Sequence, residues 1–394
     1  MAIIDRESPS DRLGKVRKHS SWVPILPVIL VAVLMVGAIA GLIGQRGNNG
    51  PPLPSEAPMR IPAGIAYATH SPISITSDAG FTTANGVSEG TGTASDPYVI
   101  ANWDINASTA NGIQIQGTTA HFIIRDCTLH GGGVNYNGIY LSGCANGTLN
   151  NNDCSDNGMG IAAVFCTYTS LINNTCSNNG VGIVIHGSNS PTHQTISNNN
   201  CSNNGAFGII IEEADGLIVC NNTCSSNQFA PLAPPDVQPT GVGMRLYTTR
   251  DSIVFNNILS ENMRYGLWVG DGSPTYPIES SNSRIWNNTF HHNNGSGDSY
   301  DPLHIQAFDN GTSNWWNSTD GYGNYWSDWT TPDADGNGIV DLPYAIDDSA
   351  GAMDNYPLTT APEPIPEFGM MPLVAIVLLM AIVLTIGARR RKAS

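Results

Sequence analysis

Apolar residues in this chain fall into two patterns: short alternations between polar turns through its middle, and unbroken runs near its two ends. In the middle, an Asn-Asn pair, a polar turn, a Gly and a short apolar alternation recur. The copies are NNDCSDNGMGIAA from Asn151, NNTCSNNGVGIVI from Asn173, NNNCSNNGAFGIII from Asn198, NNTCSSN from Asn221, NNILSENMRYGLWV from Asn256 and NNTFHHNNG from Asn287. Their starts lie 22, 25, 23, 35 and 31 residues apart, and looser copies precede them around Ala101 and Arg125. A period near 23 with three period-2 segments and no helical stripe predicts one solenoid turn of three strands and three bends. A leucine-rich repeat has a similar period, but its leucine framework is missing here. About eight turns, stacked about 4.8 Å apart, predict a rod roughly 40 Å long.

Stacking gives the repeated residues their jobs. Asn152, Asn174, Asn199, Asn222, Asn257 and Asn288 align into a ladder of side-chain amides hydrogen-bonded from turn to turn. Asn also tolerates the left-handed backbone that a bend requires. Aligned on Gly112, Gly138, Gly160, Gly182, Gly208, Gly243 and Gly266, the residues one and three positions later are apolar and face inward, as in Ile183/Ile185 and Ile209/Ile211. Residues two and four positions later face outward. They change from Gln114, Tyr140, Ser142 and Ala162 to His186, Glu212, Arg245, Tyr247 and Trp268, joined by His304 and Gln306 if Leu303 and Ile305 continue the pattern. The two longest repeats carry their extra residues at 227–242 and 270–283, on either side of this strand, which predicts walls around a groove. His186, Glu212, Arg245, Tyr247, Trp268 and His304 are therefore the candidate substrate-binding residues, suited to stacking on sugar rings and pairing with carboxylates. The plainer alternative is a half-exposed sheet face with a few aromatics.

The end runs are long enough for helices that cross a bilayer. Residues 22–44 are uncharged and follow a basic tail, 1–21, with Arg6, Arg12, Lys15, Arg17 and Lys18. Residues 369–388 are closed by Arg389, Arg390, Arg391 and Lys392. The positive-inside rule then places both termini in the cytoplasm and the middle outside it. A cleaved signal peptide is the alternative at the first run, where Ala38-Ile39-Ala40 fits a small-x-small site. Pro-rich spacers at 45–62 and 359–366 flank the expected β-helix domain, 63–358, whose cap is 314–358. The last part, 367–394, begins with Glu367-Phe368-Gly369 after Pro366. A PEF motif, an apolar helix and a terminal Arg cluster resemble the PEF-CTERM sorting signals of archaeal and some bacterial surface proteins. That resemblance implies a membrane location and a sortase-like protease that removes the helix.

Charge sharpens this division. The 394 residues carry 16 Lys+Arg and 32 Asp+Glu, yet residues 61–366 hold 27 acidic residues against five Arg, a net of minus 22. Nucleic acid is not an expected partner, because binding it needs a basic stripe. Few lysines and many Asn also argue against a helical bundle.

With these repeats, the sequence resembles the right-handed parallel β-helix proteins of the pectin-lyase-like class, and within them the NosD-like repeat family. The resemblance covers about Ser71 to Leu358 and is most specific in GNYWSDW from Gly323, DADGNGIVDLPYAIDD from Asp333 and DNYPL from Asp354. It implies an all-β solenoid, and a class that mixes lyases, hydrolases, epimerases and binding proteins, so that function must come from the site. For lyase or epimerase action on acidic glycans, Arg245 is the basic residue of the strand face and Glu212 the carboxylate in register with it. Both are weak catalytic candidates. Glu212 and Glu213 are adjacent and so point to opposite sides, and Asp301-Pro302-Leu303-His304 matches the epimerase Asp-Pro-His-Asp poorly. The family name is tied to copper delivery, but no convergent His, Cys or Met cluster is visible from spacing. A copper role is not expected.

Other features concern stability. Asp333, Asp335, Asn337, the Ile339 carbonyl and Asp341 fall at positions 1, 3, 5, 7 and 9 of a calcium loop, with Gly338 at 6. Position 12 is Tyr344 where a Glu is needed, so Asp347 or Asp348 is expected to complete a structural Ca²⁺ site; a solvated Asp/Gly turn is the alternative. Six aromatics from Trp315 to Trp329 suit a plug over the last turn or a glycan surface. Cys154, Cys176, Cys201 and Cys224 share one inward repeat position, while Cys144 and Cys166 sit on consecutive turns at disulfide spacing. Of nine sequons, Asn294 and Asn310 are the glycosylation candidates expected to be exposed. The reading is a membrane-anchored surface β-helix, leaning to a non-catalytic role in envelope structure or carbohydrate binding.

Overall fold

The structure is a computed structural model that describes residues 67–228, 240–270, 280–347 and 351–363. Both apolar runs, the basic tails and the PEF segment lie outside the described residues, as does most of each expected groove wall. Among the described residues, no helix is long and apolar enough to cross a membrane.

Short strands coil into a parallel β-helix. One nine-stranded sheet, here sheet I, runs from Ile73–Ile75 through Ile113–Gln116, Ile139–Ser142, Met159–Val164, Val181–Pro191, Phe207–Asp215, Val242–Tyr247 and Leu267–Val269 to Ala307–Asp309. Sheet II stacks Tyr98–Ala101 to Arg284–Trp286 and is capped at its first edge by the antiparallel strand Val87–Glu89. Sheet III is short strands and isolated bridges, from Ala68–His70 to Tyr325–Trp326. Nine turns stand where the repeats predict about eight. The extra turn begins at Ile73, in register with Ile113, and a detour through two 3-10 turns separates the two and hides the period.

The inward positions are as expected: Ile113, Ile115, Ile183, Ile185, Ile209 and Ile211 are fully buried. At every aligned glycine but Gly266, the carbonyl oxygen of the next turn's glycine leaves no room for a Cβ. A Cβ on Gly182 would lie 2.4 Å from the Gly208 carbonyl oxygen, and one on Gly208 would lie 2.5 Å from that of Gly243.

The predicted amide ladder is present and longer than its repeats. Asn152 Nδ2 donates to Asn174 Oδ1 at 2.9 Å, and the same bond continues through Asn199, Asn222, Asn257 and Asn288 to Asn324. Each Oδ1 also accepts the backbone N–H of the preceding rung, as at Asn199 and Asn222. The left-handed bend residue is the first Asn of the pair (Asn151, Asn173, Asn198), so the two Asn divide the work. A second ladder, five residues on, links Asn157, Asn179, Asn204, Asn227, Asn262 and Asn293 through Oδ1 acceptors and ends on Gln306.

Both ladders terminate on carboxylates, because a chain of amide donors needs a last group that only accepts. Asp354 Oδ2 accepts from Asn324 N at 2.7 Å and Trp326 Nε1 at 3.0 Å, and Gln306 Nε2 donates to Asp328. Burial pushes the Asp354 carboxyl up to about 6, against its four hydrogen-bond donors. The terminal motif is therefore a plug. Trp326 stacks between Phe290 at 4.1 Å and Tyr344 at 4.0 Å, ending the column that contains Leu259. Trp316 is buried in the same cap, while Trp315 and Tyr322 remain exposed.

Candidate functional site

Consecutive turns of sheet I bring the outward candidates together in register: His186 beside Glu212, Glu212 beside Tyr247, and Arg245 beside Trp268. Two environments result. His186 Nδ1 lies 3.3 Å from Glu212 Oε2, with both side chains about one third exposed, at 32% and 30%. Arg245 is only 5% exposed, its guanidinium carbon 4.9 Å from the Tyr247 ring centroid, 5.6 Å from Trp268 and 6.0 Å from Phe207. Phe207, Ile210, Val242 and Trp268 form a closed apolar cluster on this outer face, with Tyr265 and Phe308 packed against it. The Arg245 guanidinium is thus held against three aromatic rings and largely out of solvent.

The expected continuation into the ninth turn is shifted. Its strand is Ala307–Asp309, with Ala307 in the core and Phe308 outward, 4.6 Å from the Trp268 ring. His304 precedes that strand and pairs with Asp301 at 2.8 Å; Leu303 is 82% exposed; Gln306 is buried as a ladder rung. The chain between Asn293 and Gln306 begins in a 3-10 turn and breaks the alternation from which outward positions were counted. His304 is thus not part of the patch that holds His186 and Glu212.

The bend after Met159–Val164 carries side chains that alternation does not pick out. Phe165 and Tyr168 are 53% and 58% exposed, and both have left-handed backbones, at φ 54° and 52°. Phe165 meets His186 edge-on at 5.3 Å, and Tyr168 stacks on His193 at 5.1 Å. The missed signal is local: two aromatics stand at bend positions that the preceding turn fills with Gly143 and Asn146.

In the cap, one carboxylate oxygen from each of Asp333, Asp335 and Asp341 lies within 4.8 Å of the others. Their loop is tied by backbone donors, with Asn337 N and Gly338 N donating to Asp333 and Ala334 N to Asp341 Oδ2. Asn337 Oδ1 accepts from Ile339 N at 2.8 Å. Three carboxylates and nearby amide and carbonyl oxygens are the hard donor set that suits Ca²⁺. Tyr344, at position 12, is core. Asp347 accepts from Tyr265 OH and its backbone pairs with Phe308, so it is committed elsewhere, and Asp348 lies outside the described residues.

All eight cysteines are buried thiols, and Cys154, Cys176, Cys201 and Cys224 form the predicted core column. Cys144 and Cys166 stand as two thiols; a hydrogen bond from Cys166 holds the Cys144 thiol down at about 7. Asn294 and Asn310 are half-buried and not exposed as expected, and Asn294 Nδ2 donates to the Ile305 carbonyl at 3.0 Å.

A family model described as "Periplasmic copper-binding protein (NosD)" matches residues 72–331, the coiled body and the first part of the cap. The chain belongs to that family. Among solved structures it is similar to the A-module of the mannuronan C-5 epimerase AlgE6 of Azotobacter vinelandii, at 16% identity over 65% of this chain and 67% of that one, TM-score 0.40. It is also similar to pectate lyase Pel9A, at 13% over 70% and 92%, TM-score 0.40. A third likeness is to the enzymatically active domain of tailspike protein 2 of bacteriophage CBA120, at 11% over 65% and 40%, TM-score 0.46. No curated protein matches the chain.

Proposed function

We propose that this chain is a cell-surface β-helix, anchored in the membrane by residues 22–44, that binds polysaccharide on the outward side of sheet I and performs no chemistry on it. The observation that carries this reading is the state of the two groups suited to acid–base work. Arg245 is enclosed by aromatic rings and Glu212 is engaged by His186, which leaves a half-exposed His and aromatic surface suited to contact. The rival, a lyase or epimerase for acidic glycans, would use Arg245, and the low exposure of that residue, 5%, supports the binding reading. Incubating the full-length chain with neutral and uronate polysaccharides, with and without Ca²⁺, tests both. Retention of polymer without unsaturated or new reducing ends supports binding. Cleavage or epimerisation that Arg245→Ala abolishes would establish the enzyme instead.

In the same proposal Asp333, Asp335, Asn337, the Ile339 carbonyl and Asp341 hold a structural Ca²⁺ that closes the cap, and the PEF segment is the substrate of a sortase-like protease. Sortase-like processing predicts a cell-associated product that lacks residues 367–394, read by mass spectrometry.

The family description favours a second reading, copper. His291 and His292 have ring centroids 3.9 Å apart, and His292 Nε2 is 2.7 Å from Asp298 Oδ1. Imidazole and carboxylate donors suit Cu²⁺. Stoichiometric copper retention, lost in His291→Ala/His292→Ala, would support this reading over the first.

A further inference from the structure

The bend between sheets I and II is where the fold leaves residue choice open. At one of its positions three consecutive turns place Gly117, Gly143 and Phe165, each with its backbone N–H donating to the turn above and with φ of 62°, 60° and 54°. At a second position the sequence runs Asn146, Tyr168, His193, Gly216, all left-handed, with φ of 60°, 52°, 51° and 69°. Gly adopts this conformation freely and Asn does so at small cost; later turns hold it with Glu213 and Thr248, and what sets Phe165 and Tyr168 apart is a large ring directed outward. Phe165 and Tyr168 gain little burial, being more than half exposed. Each keeps one ring contact, with His186 or His193, and leaves the rest of its surface to solvent, which points to use by something outside the fold.

We propose that Phe165 and Tyr168, with His193, His186 and Glu212, form a subsite for a neutral hexose polymer. This deepens, and rests on, the polysaccharide-binding reading. The ring chemistry selects the partner: exposed flat faces suit the C–H face of a pyranose, while the flanking imidazoles and carboxylate supply donors and acceptors for its hydroxyls. Charge selects against a polyanion. Residues 61–366 carry a net of minus 22, Glu212 stands in the patch, and the guanidinium of nearby Arg250 is paired with Asp215 at 2.8 Å. Tyr168 and His193 lie on adjacent turns with their rings stacked at 5.1 Å, so each braces the other and the uncovered side of the pair is left for a ligand.

The test takes its substitutions from neighbouring turns: Phe165→Gly, as at Gly117 and Gly143, and Tyr168→Asn, as at Asn146. The full-length chain is run in affinity gels containing laminarin, galactomannan or hydroxyethylcellulose, with alginate and polygalacturonate as acidic comparisons, and thermal unfolding is followed in parallel. The expected result is retardation by at least one neutral polymer and at least tenfold weaker binding in each variant, with an unfolding midpoint unchanged or raised. Variants that bind as the wild type does would overturn the subsite and leave the wider reading standing. A wild-type chain that no polysaccharide retards would overturn both. Retardation by the acidic polymers alone would overturn the choice of a neutral ligand. Weaker binding together with a lowered midpoint would make the rings structural and overturn the proposal.

Discussion

The interior of the rod and its outward bend obey opposite rules, although the same coil produces both. Inside, residue identity is dictated by the turns above and below. Gly208 has no room for a Cβ, and Asn222 bonds at once to Asn199, Asn257 and the Ile196 carbonyl. At the bend, the position that is Gly in two turns is Phe in the next, and backbone hydrogen bonds continue undisturbed. Where the fold dictates a residue, its type reports on the fold. Where the fold leaves the choice open, an uneconomical residue reports on something else.

Breaking the interior should have the largest effects. Asn222→Ala strands two donors of Asn199 and the Ile196 acceptor in the dry core, an expected loss of about 4 kcal/mol by denaturant unfolding. Gly208→Ala pushes a methyl against the carbonyls of Gly243 at 2.5 Å and Cys201 at 2.7 Å, at a cost of about 3 kcal/mol. A loss under about 1 kcal/mol in both variants would show the interior to be as permissive as the bend.

The ladder's end gives a pH test. Asp354 titrates at about 6 in the folded cap, above its ordinary value of 3.8. The folded state therefore binds the proton more tightly, and the resulting stabilisation is full below about pH 4 and lost as pH rises through about 6. It amounts to about 2 to 3 kcal/mol. Asp354→Asn should lack that pH dependence, so that the difference between wild type and variant changes between about pH 4 and 7, and parallel stability curves over that range would contradict a buried titrating terminus. Removing Ca²⁺ with a chelator should lower cap stability by on the order of 1 kcal/mol, an effect that Asp333→Asn/Asp335→Asn abolishes. The bend substitutions should have the smallest effect, a gain of up to about 1 kcal/mol as strain is relieved.

The same contrast explains what could be read in advance. Gly112 to Gly266, Asn152 to Asn288 and the Cys154 column were legible because interior contacts force repetition, and repetition is visible in one sequence. The second ladder was equally visible, five residues after the first from Asn157 to Asn293, but it lies among turn residues where Asn is ordinarily taken as a bend former. Asp354 was not legible as a ladder end, since an antiparallel strand and not the period brings it there, and Asp328 follows the last parallel strand with no earlier repeat to mark its role. His304 and Gln306 were misplaced because counting by alternation fails across the excursion from Asn293. Arg245 and Trp268 were correctly placed outward, yet the cluster that closes over them depends on which neighbours are large, such as Phe207 and Phe308. Phe165 and Tyr168 carry no periodic signal, and their unusual backbone appears only in three dimensions.

The most direct test compares affinity for a neutral polysaccharide with unfolding free energy in one double variant, Phe165→Gly/Tyr168→Asn. Binding is expected to fall by at least a hundredfold while stability holds or rises. Unchanged binding, or binding lost in proportion to stability, would contradict the polysaccharide subsite.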